Sequence, residues 1–267
     1  MKWGLVSGAD GYVIDRKLTT ATDYERVQVV NGKDTVQWTD TGLEQGKDYD
    51  YTVRAFKKFN NTILYSSYIG ISVSTLPGDV TGLTLSAVTT DTIKLVWNES
   101  PGATEYDIYQ ESFKNPGTFV KIDSVYAKSY VIRELVAGRN YTFRVQPIKT
   151  VGDIRYKGDY QEIAVGTCPA TVRTVVTGKQ TSDSILVKWG IVSGADGYEV
   201  VRKLNNETEY KKVKDINNQE IGEWTDTGLQ AGIDCSYGVR AYKIICGNKY
   251  NIMAHMSIKT DILCLKL

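Results

Sequence analysis

Proton transfer and metal chemistry draw on side chains that this sequence supplies sparingly. Its 267 residues contain one histidine, His255, and four cysteines, Cys168, Cys235, Cys246 and Cys264. No Cys-x-x-Cys spacing occurs, so a structural zinc site lacks its usual ligand pair. Gly-x-Ser-x-Gly, P-loop and His-Glu-x-x-His patterns are also absent from the sequence. Carboxylates two residues apart, Glu105 with Asp107 and Glu207 with Glu209, have the types for acid and base roles. They alternate with apolar residues along strand-like text, which predicts solvent-facing side chains instead. The expectation is a protein that is not an enzyme, with no cofactor and no metal.

Binding chemistry is better provided for. Eighteen tyrosines are present, and Tyr65, Tyr68, Tyr156 and Tyr160 fall at or beside turn-rich segments. Exposed tyrosines there stack on sugars or anchor a protein partner. Between Tyr156 and Tyr160 stands Lys157-Gly158-Asp159, whose Gly-Asp is also ordinary turn chemistry. The candidate ligand loop is therefore Tyr156, Lys157, Gly158, Asp159 and Tyr160.

The elements that would position such a loop come three times. Trp3, Trp97 and Trp189 are spaced 94 and 92 residues apart, and Trp3–Tyr12 reads almost identically to Trp189–Tyr198. Repetition at domain length means tandem modules. The repeated ends Val73–Pro77 and Val165–Pro169 place the divisions at residues 1–76, 77–168 and 169–267, since proline cannot join a central ladder. Within the second module the text alternates apolar and polar residues, rich in Val, Ile, Thr and Tyr, and turns every dozen residues or so. This predicts seven strands, at Val80–Val88, Thr92–Trp97, Tyr106–Gln110, Thr118–Asp123, Ser129–Ile132, Asn140–Lys149 and Tyr160–Thr167, forming two packed sheets. Pro77 and Pro169 each precede their tryptophan by twenty residues, whereas Trp3 has two residues before it. By this arithmetic the first module lacks about eighteen residues, its first strand and part of its second, and offers an edge for association with another chain.

These features resemble the fibronectin type III family, in particular the divergent copies of bacterial secreted and surface proteins. The resemblance rests on the three tryptophans, on Gly-Ala-x-x-Tyr at Gly8–Tyr12, Gly102–Tyr106 and Gly194–Tyr198, and on the segment Thr39–Ala55. It implies an all-β fold of three tandem immunoglobulin-like sandwiches, the first N-terminally truncated. Trp3, Trp97 and Trp189 are then core residues, with Leu43, Leu135 and Leu229 plugging the sandwich ends. Tyr49 and Tyr141, six residues after Leu43 and Leu135, are placed for a tyrosine corner, in which the hydroxyl bonds back to upstream backbone. The third copy has Cys235 at that position, so it is expected to lack the bond. The family also implies that the loop between the last two strands can carry an Arg-Gly-Asp-like tripeptide at its tip, which singles out Lys157-Gly158-Asp159.

Thirty-two basic and thirty-one acidic residues, without a block of five like charges, argue against nucleic acid as a partner. No run of eighteen apolar residues is present, so no membrane insertion is expected. The cysteines do not repeat between modules, unlike a disulfide framework; if any pair bonds, Cys235 with Cys264 is the expected one. Sequons at Asn60, Asn98, Asn140 and Asn206 do not establish glycosylation. The reading that follows is a non-catalytic extracellular spacer and interaction array within a larger secreted or surface protein, about 100 Å long if the modules stack end to end. Its partner is an unidentified protein or polysaccharide. Two alternatives stand beside it: an adhesin or carbohydrate-binding module using the loops between the sixth and seventh strands, and accessory modules of a polysaccharide-degrading enzyme. The extracellular location follows from the resemblance alone.

Overall fold

A computed structural model describes residues 1–251. Alternation dominates, and every described element is a strand. In the middle module β6 (Thr84–Val88), β7 (Ile93–Val96) and β10 (Ser129–Ile132) form one antiparallel sheet in the order β10-β7-β6. The facing sheet runs β12-β11-β8-β9, from β8 (Glu105–Glu111), β9 (Phe119–Val125), β11 (Asn140–Val151) and β12 (Ile154–Lys157), with β13 (Gln161–Gly166) also on β11. Inward residues of the two sheets, among them Ile93, Leu95, Ile108, Phe143 and Val145, are fully buried. The final strand, expected at Tyr160–Thr167, is β13, and β12, which the sequence reading did not anticipate, precedes it. Both pair with β11, and the step between them lies opposite Gln146 and Pro147.

The first module repeats the larger sheet with β1 (Gly11–Leu18), β2 (Glu25–Asn31), β3 (Asp48–Phe59), β4 (Thr62–Tyr65) and β5 (Ile69–Ser74). Opposite it lies a short ladder in which the Trp3 N–H donates to Val36 O at 3.0 Å and the Trp38 N–H to Met1 O at 3.0 Å. In the third module β14 (Val175–Gln180), β15 (Ser184–Trp189) and β18 (Glu223–Thr227) face a sheet of β16 (Gly197–Leu204), β17 (Lys211–Ile216), β19 (Cys235–Ile245) and β20 (Asn248–Asn251). His255, Cys264 and the last strand expected of this module lie outside the described residues. The fold is thus all-β, in tandem two-sheet sandwiches. A register shift recurs at one place in each copy, between Ile14 and Asp15, Ile108 and Tyr109, and Val200 and Val201. Such a bulge adds twist and turns the edge strand around the core.

Trp97 and Trp189 are 5% and 6% exposed, whereas Trp3 is half-buried. Each indole lies 5.4–5.5 Å from the ring of the tyrosine nine residues on, Tyr12, Tyr106 or Tyr198. All three indole N–H groups lack a hydrogen-bond partner, so these tryptophans act through packing alone. Leu43, Leu135 and Leu229 are half-buried against the same clusters. The Val136 N–H donates to the Tyr141 hydroxyl at 2.7 Å, and the Glu44 N–H donates to that of Tyr49 at 3.2 Å. Cys235 makes no such bond; its thiol faces Ile233 O at 3.8 Å. A second tyrosine device, which the sequence reading missed, is kept in every copy. Tyr12, Tyr106 and Tyr198 accept the N–H groups of Val6, Ser100 and Val192 at 2.9–3.0 Å and so close the turn before their own strand. Its signal was available as a second constant spacing of six residues.

Candidate functional site

The step between β12 and β13 holds the tripeptide singled out by sequence, and its position differs from that expectation. The hairpin tip is Gly152-Asp153, whereas Lys157-Gly158-Asp159 sits at the far end of β12. Gly158 is buried: its N–H donates to Pro147 O at 3.0 Å, and a Cβ there would meet Pro147 Cγ at 2.8 Å and Pro77 O at 2.9 Å. Gln146 Nε2 donates to Gly158 O at 3.0 Å, and the Asp159 N–H to Asp79 Oδ1 at 3.3 Å. The backbone of the tripeptide is therefore pinned against the start of its own module rather than projected. Module one makes the same step, where the Ser66 N–H donates to Ala55 O at 3.0 Å. Tyr156 is half-buried and pairs with Lys149 across the hairpin.

Tyr160 joins a different group, on the outer face of the larger sheet. Alternation sends Phe143 and Val145 of β11 into the core and Arg144 outward. The Arg144 guanidinium lies 3.5 Å from the Phe119 ring centre and 4.2 Å from that of Tyr160, and its Nε donates to Glu162 at 2.8 Å. An arginine held by a carboxylate and stacked between two rings is pre-ordered for contact. Aromatic and arginine side chains of this kind dominate binding energy at protein surfaces. The sequence reading reached Tyr160 but not Arg144 or Phe119, because the three meet only through strand register.

On the same face Asp107 departs from expectation. It points away from the core as alternation requires, yet it is only 1% exposed. Arg155 Nη2 bonds its Oδ1 at 2.9 Å and Glu105 at 3.0 Å; Lys121 Nζ is 2.9 Å away and Ser124 Oγ 2.5 Å. The cause is the β11–β12 hairpin, which swings Arg155 over the strand, while β9 supplies Lys121. Burial opposes ionisation of Asp107, but the hydrogen bonds from Arg155, Ser124 and Lys121 outweigh it and hold the carboxyl at about 2. It is an anion at neutral pH, with no proton to give as a general acid. Burial, then the Asp107 charge, pushes the Tyr109 phenol up. The acid and cation recur on this face as Asp15 with Arg54 at 3.3 Å and Glu199 with Arg240 at 4.0 Å. Among the described residues no group of three or more His, Cys, Asp or Glu side chains could hold a metal ion. No described helix is long and apolar enough to cross a membrane.

Modules meet through paired turns. Gly46, in the turn before β3, packs on Gly102, in the turn before β8, so closely that a Cβ on Gly102 would lie 2.3 Å from Gly46 Cα. Gly138 and Gly194 make the equivalent approach between the second and third modules, where a Cβ on Gly194 would lie 2.2 Å from Gly138 O. All four glycines have φ between +67° and +74°. Across the first joint Lys149 Nζ donates to Gly46 O at 2.8 Å and to Asp48 Oδ1 at 2.6 Å. The Asp48 carboxyl is held below its ordinary range, first by Lys149 and then by Ser74.

Repeated antiparallel two-sheet sandwiches joined by short turns define the chain as a modular all-β array. Residues 78–159, in the middle module, match the family described as "Fibronectin type III domain". The chain is 25% identical over 264 residues to Exoglucanase B of Cellulomonas fimi, covering 92% of this chain and 23% of that protein's length. Among solved structures it is similar to the FN1-FN3 domains of chicken CNTN1, at 14% identity and a TM-score of 0.41, covering 94% of this chain and 88% of that one. It is also similar to a segment of two fibronectin type III domains from chicken tenascin, at 20% identity and a TM-score of 0.40, covering 68% and 99%.

Proposed function

We propose that the chain is a non-catalytic spacer and interaction array within a larger secreted or surface protein. The observation that carries this reading is the pair of inter-module joints. Facing left-handed glycines leave no room for a side chain at either joint, and Lys149, 7% exposed, ties the first across module boundaries. Such joints set the distance and angle between modules, as a spacer requires, where a flexible linker would set only a maximum reach. The contact surface is the outer face of the larger sheet of module two, around Phe119, Arg144 and Tyr160. Small-angle scattering of the whole chain tests the spacer: a rod of fixed length is expected, and a compact or freely jointed particle refutes it.

Similarity to Exoglucanase B favours a second reading, in which these are accessory modules of a polysaccharide-degrading enzyme. The same aromatic and arginine face then contacts polysaccharide. Soluble glucan titrated into the chain, with Tyr160→Ala beside it, separates the two: binding lost in the variant selects the second reading, and no binding leaves a protein as the partner class.

A further inference from the structure

The stack of Phe119, Arg144 and Tyr160 discriminates between ligands, because it leaves one part of the arginine uncommitted. The guanidinium carbon lies 3.5 Å and 4.2 Å from the two ring centres, so the rings hold the plane of the group and shield it from water. Nε is taken by Glu162 at 2.8 Å. Nη1 and Nη2 have no hydrogen-bond partner among the described residues, and neither is buried. Four coplanar N–H donors are therefore left for a ligand. Three residues after Tyr49 and Cys235 stand Thr52 and Gly238 where Arg144 follows Tyr141, so modules one and three have no counterpart.

A pair of parallel N–H groups matches the two oxygens of a carboxylate, and the charge makes those bonds stronger than bonds to a sugar hydroxyl. The rings beside the guanidinium ask for apolar surface next to that carboxylate, and Tyr160 is 49% exposed to receive it. A uronic acid carries both on one ring, a carboxylate and a face of C–H groups, whereas an acidic side chain of a protein brings the carboxylate on one or two methylenes. The surrounding charge limits how acidic the polymer can be. Lys121 and Arg155 are engaged by Asp107 and Glu105, and Glu111 and Glu162 add negative charge on the same face. A densely charged polyanion is repelled there, and an isolated carboxylate on a neutral chain is not.

We propose that the outer face of module two binds a polysaccharide whose neutral backbone carries isolated uronic acid residues. The uronate accepts hydrogen bonds from Nη1 and Nη2 of Arg144, and its ring packs on Tyr160. This rests on the reading of the chain as accessory modules of a polysaccharide-degrading enzyme and narrows that reading to a ligand class. Glu162 sets the orientation of the guanidinium through Nε, so the ordering cost falls on folding and not on binding. The ion pair forms at an exposed surface, so added salt weakens it.

The test titrates the whole chain calorimetrically with two probes: a xylan oligosaccharide bearing one glucuronic acid branch, and the same oligosaccharide after reduction of that carboxyl to a hydroxymethyl group. The acidic probe is expected to bind about tenfold more tightly than the reduced one. Arg144→Gln brings the acidic probe down to the affinity of the reduced probe and leaves the reduced probe as it was; a merely structural arginine would weaken both together. Arg144→Lys keeps the charge but not the paired donors and loses most of the preference. Tyr160→Ala weakens both probes. Equal binding of the two probes to the unaltered chain, lost in Tyr160→Ala, overturns the carboxylate site and leaves the polysaccharide reading standing. Binding of neither probe overturns both, and capture of a glutamate-rich peptide through Arg144 in that case assigns the site to a protein.

Discussion

Asp107 offers the sharpest test of the site, because replacing it with asparagine removes one charge and almost no volume. A carboxyl moved from its ordinary 3.8 to about 2 corresponds to about 2.5 kcal/mol of stabilisation at neutral pH. Lys121 and Arg155 are 40% and 35% exposed at their side chains, so solvent screens part of their attraction and about 2 kcal/mol is the working figure. The folded value lies below the unfolded one, so the contribution is complete above the ordinary carboxylate range and fades as pH falls from about 4 towards 2.

Asp107→Asn is therefore expected to lower the stability of module two by about 2 kcal/mol at pH 7 and to match the unaltered protein near pH 2. Urea unfolding followed through amide resonances of module two at both pH values reads this directly. No difference at pH 7 refutes the view of Asp107 as a paired, buried anion. A full-sized difference that survives at pH 2 refutes the electrostatic explanation and leaves only packing.

Three further outcomes are expected. Trp97→Ala removes a 5% exposed indole from the core and should cost on the order of 3–5 kcal/mol, read as lost thermal stability of module two; a nearly unchanged melting temperature refutes the core role. Tyr141→Phe leaves the Val136 N–H without its partner and should cost about 1–3 kcal/mol, more than Tyr49→Phe, whose bond is longer; equal losses in denaturant unfolding contradict the corner argument. Gly46→Ala places a methyl 2.5 Å from Gly102 Cα and should reorient modules one and two in residual dipolar couplings. Gly42→Ala, at φ +72° with no described atom within 4 Å of the added Cβ, should cost only the left-handed strain of about 1–2 kcal/mol and change no orientation.

The sandwich class was legible because it rests on local and periodic signals. Tryptophan spacing, alternation and the run from Leu135 to Tyr141 each state which side of a strand faces the core. What stayed hidden depends on how strands are brought side by side. Asp107 reads as an exposed residue in any one-dimensional pattern, and only the overhang of Arg155 from a neighbouring hairpin buries it. Arg144 and Phe119 come from β11 and β9 and Tyr160 from the step before β13, and they assemble only when these segments lie side by side. The short β12 escaped notice for a similar reason: the step after it is fixed at Gly158 by Pro147, across the sheet, and by Pro77, at the module's start. Joint glycines were visible as turn residues, but a turn glycine and a contact glycine look the same until the neighbouring module is in place.

The two joints share geometry and differ in charge and in apolar contact. Lys149 is nearly buried and meets Asp48, so the first joint carries an ion pair across the module boundary. Replacing Asp48 while the joint stays closed would leave the buried ammonium uncompensated, which is costly. At the second joint Asn140 replaces the aspartate, and Lys243 keeps only a carbonyl of its own module, Gly194 O, which it retains whether the joint is open or closed. An open cleft of about 450 Å³ lies beside this joint, lined by Phe113, Tyr141 and Thr142 on one side and Ile244 and Cys246 on the other. The second joint is closed by apolar packing instead, since Ile245, 3% exposed, and Tyr250 of module three lie against the core cluster of module two. A joint held by an ion pair and one held by apolar burial both fix the angle between modules, as a spacer requires.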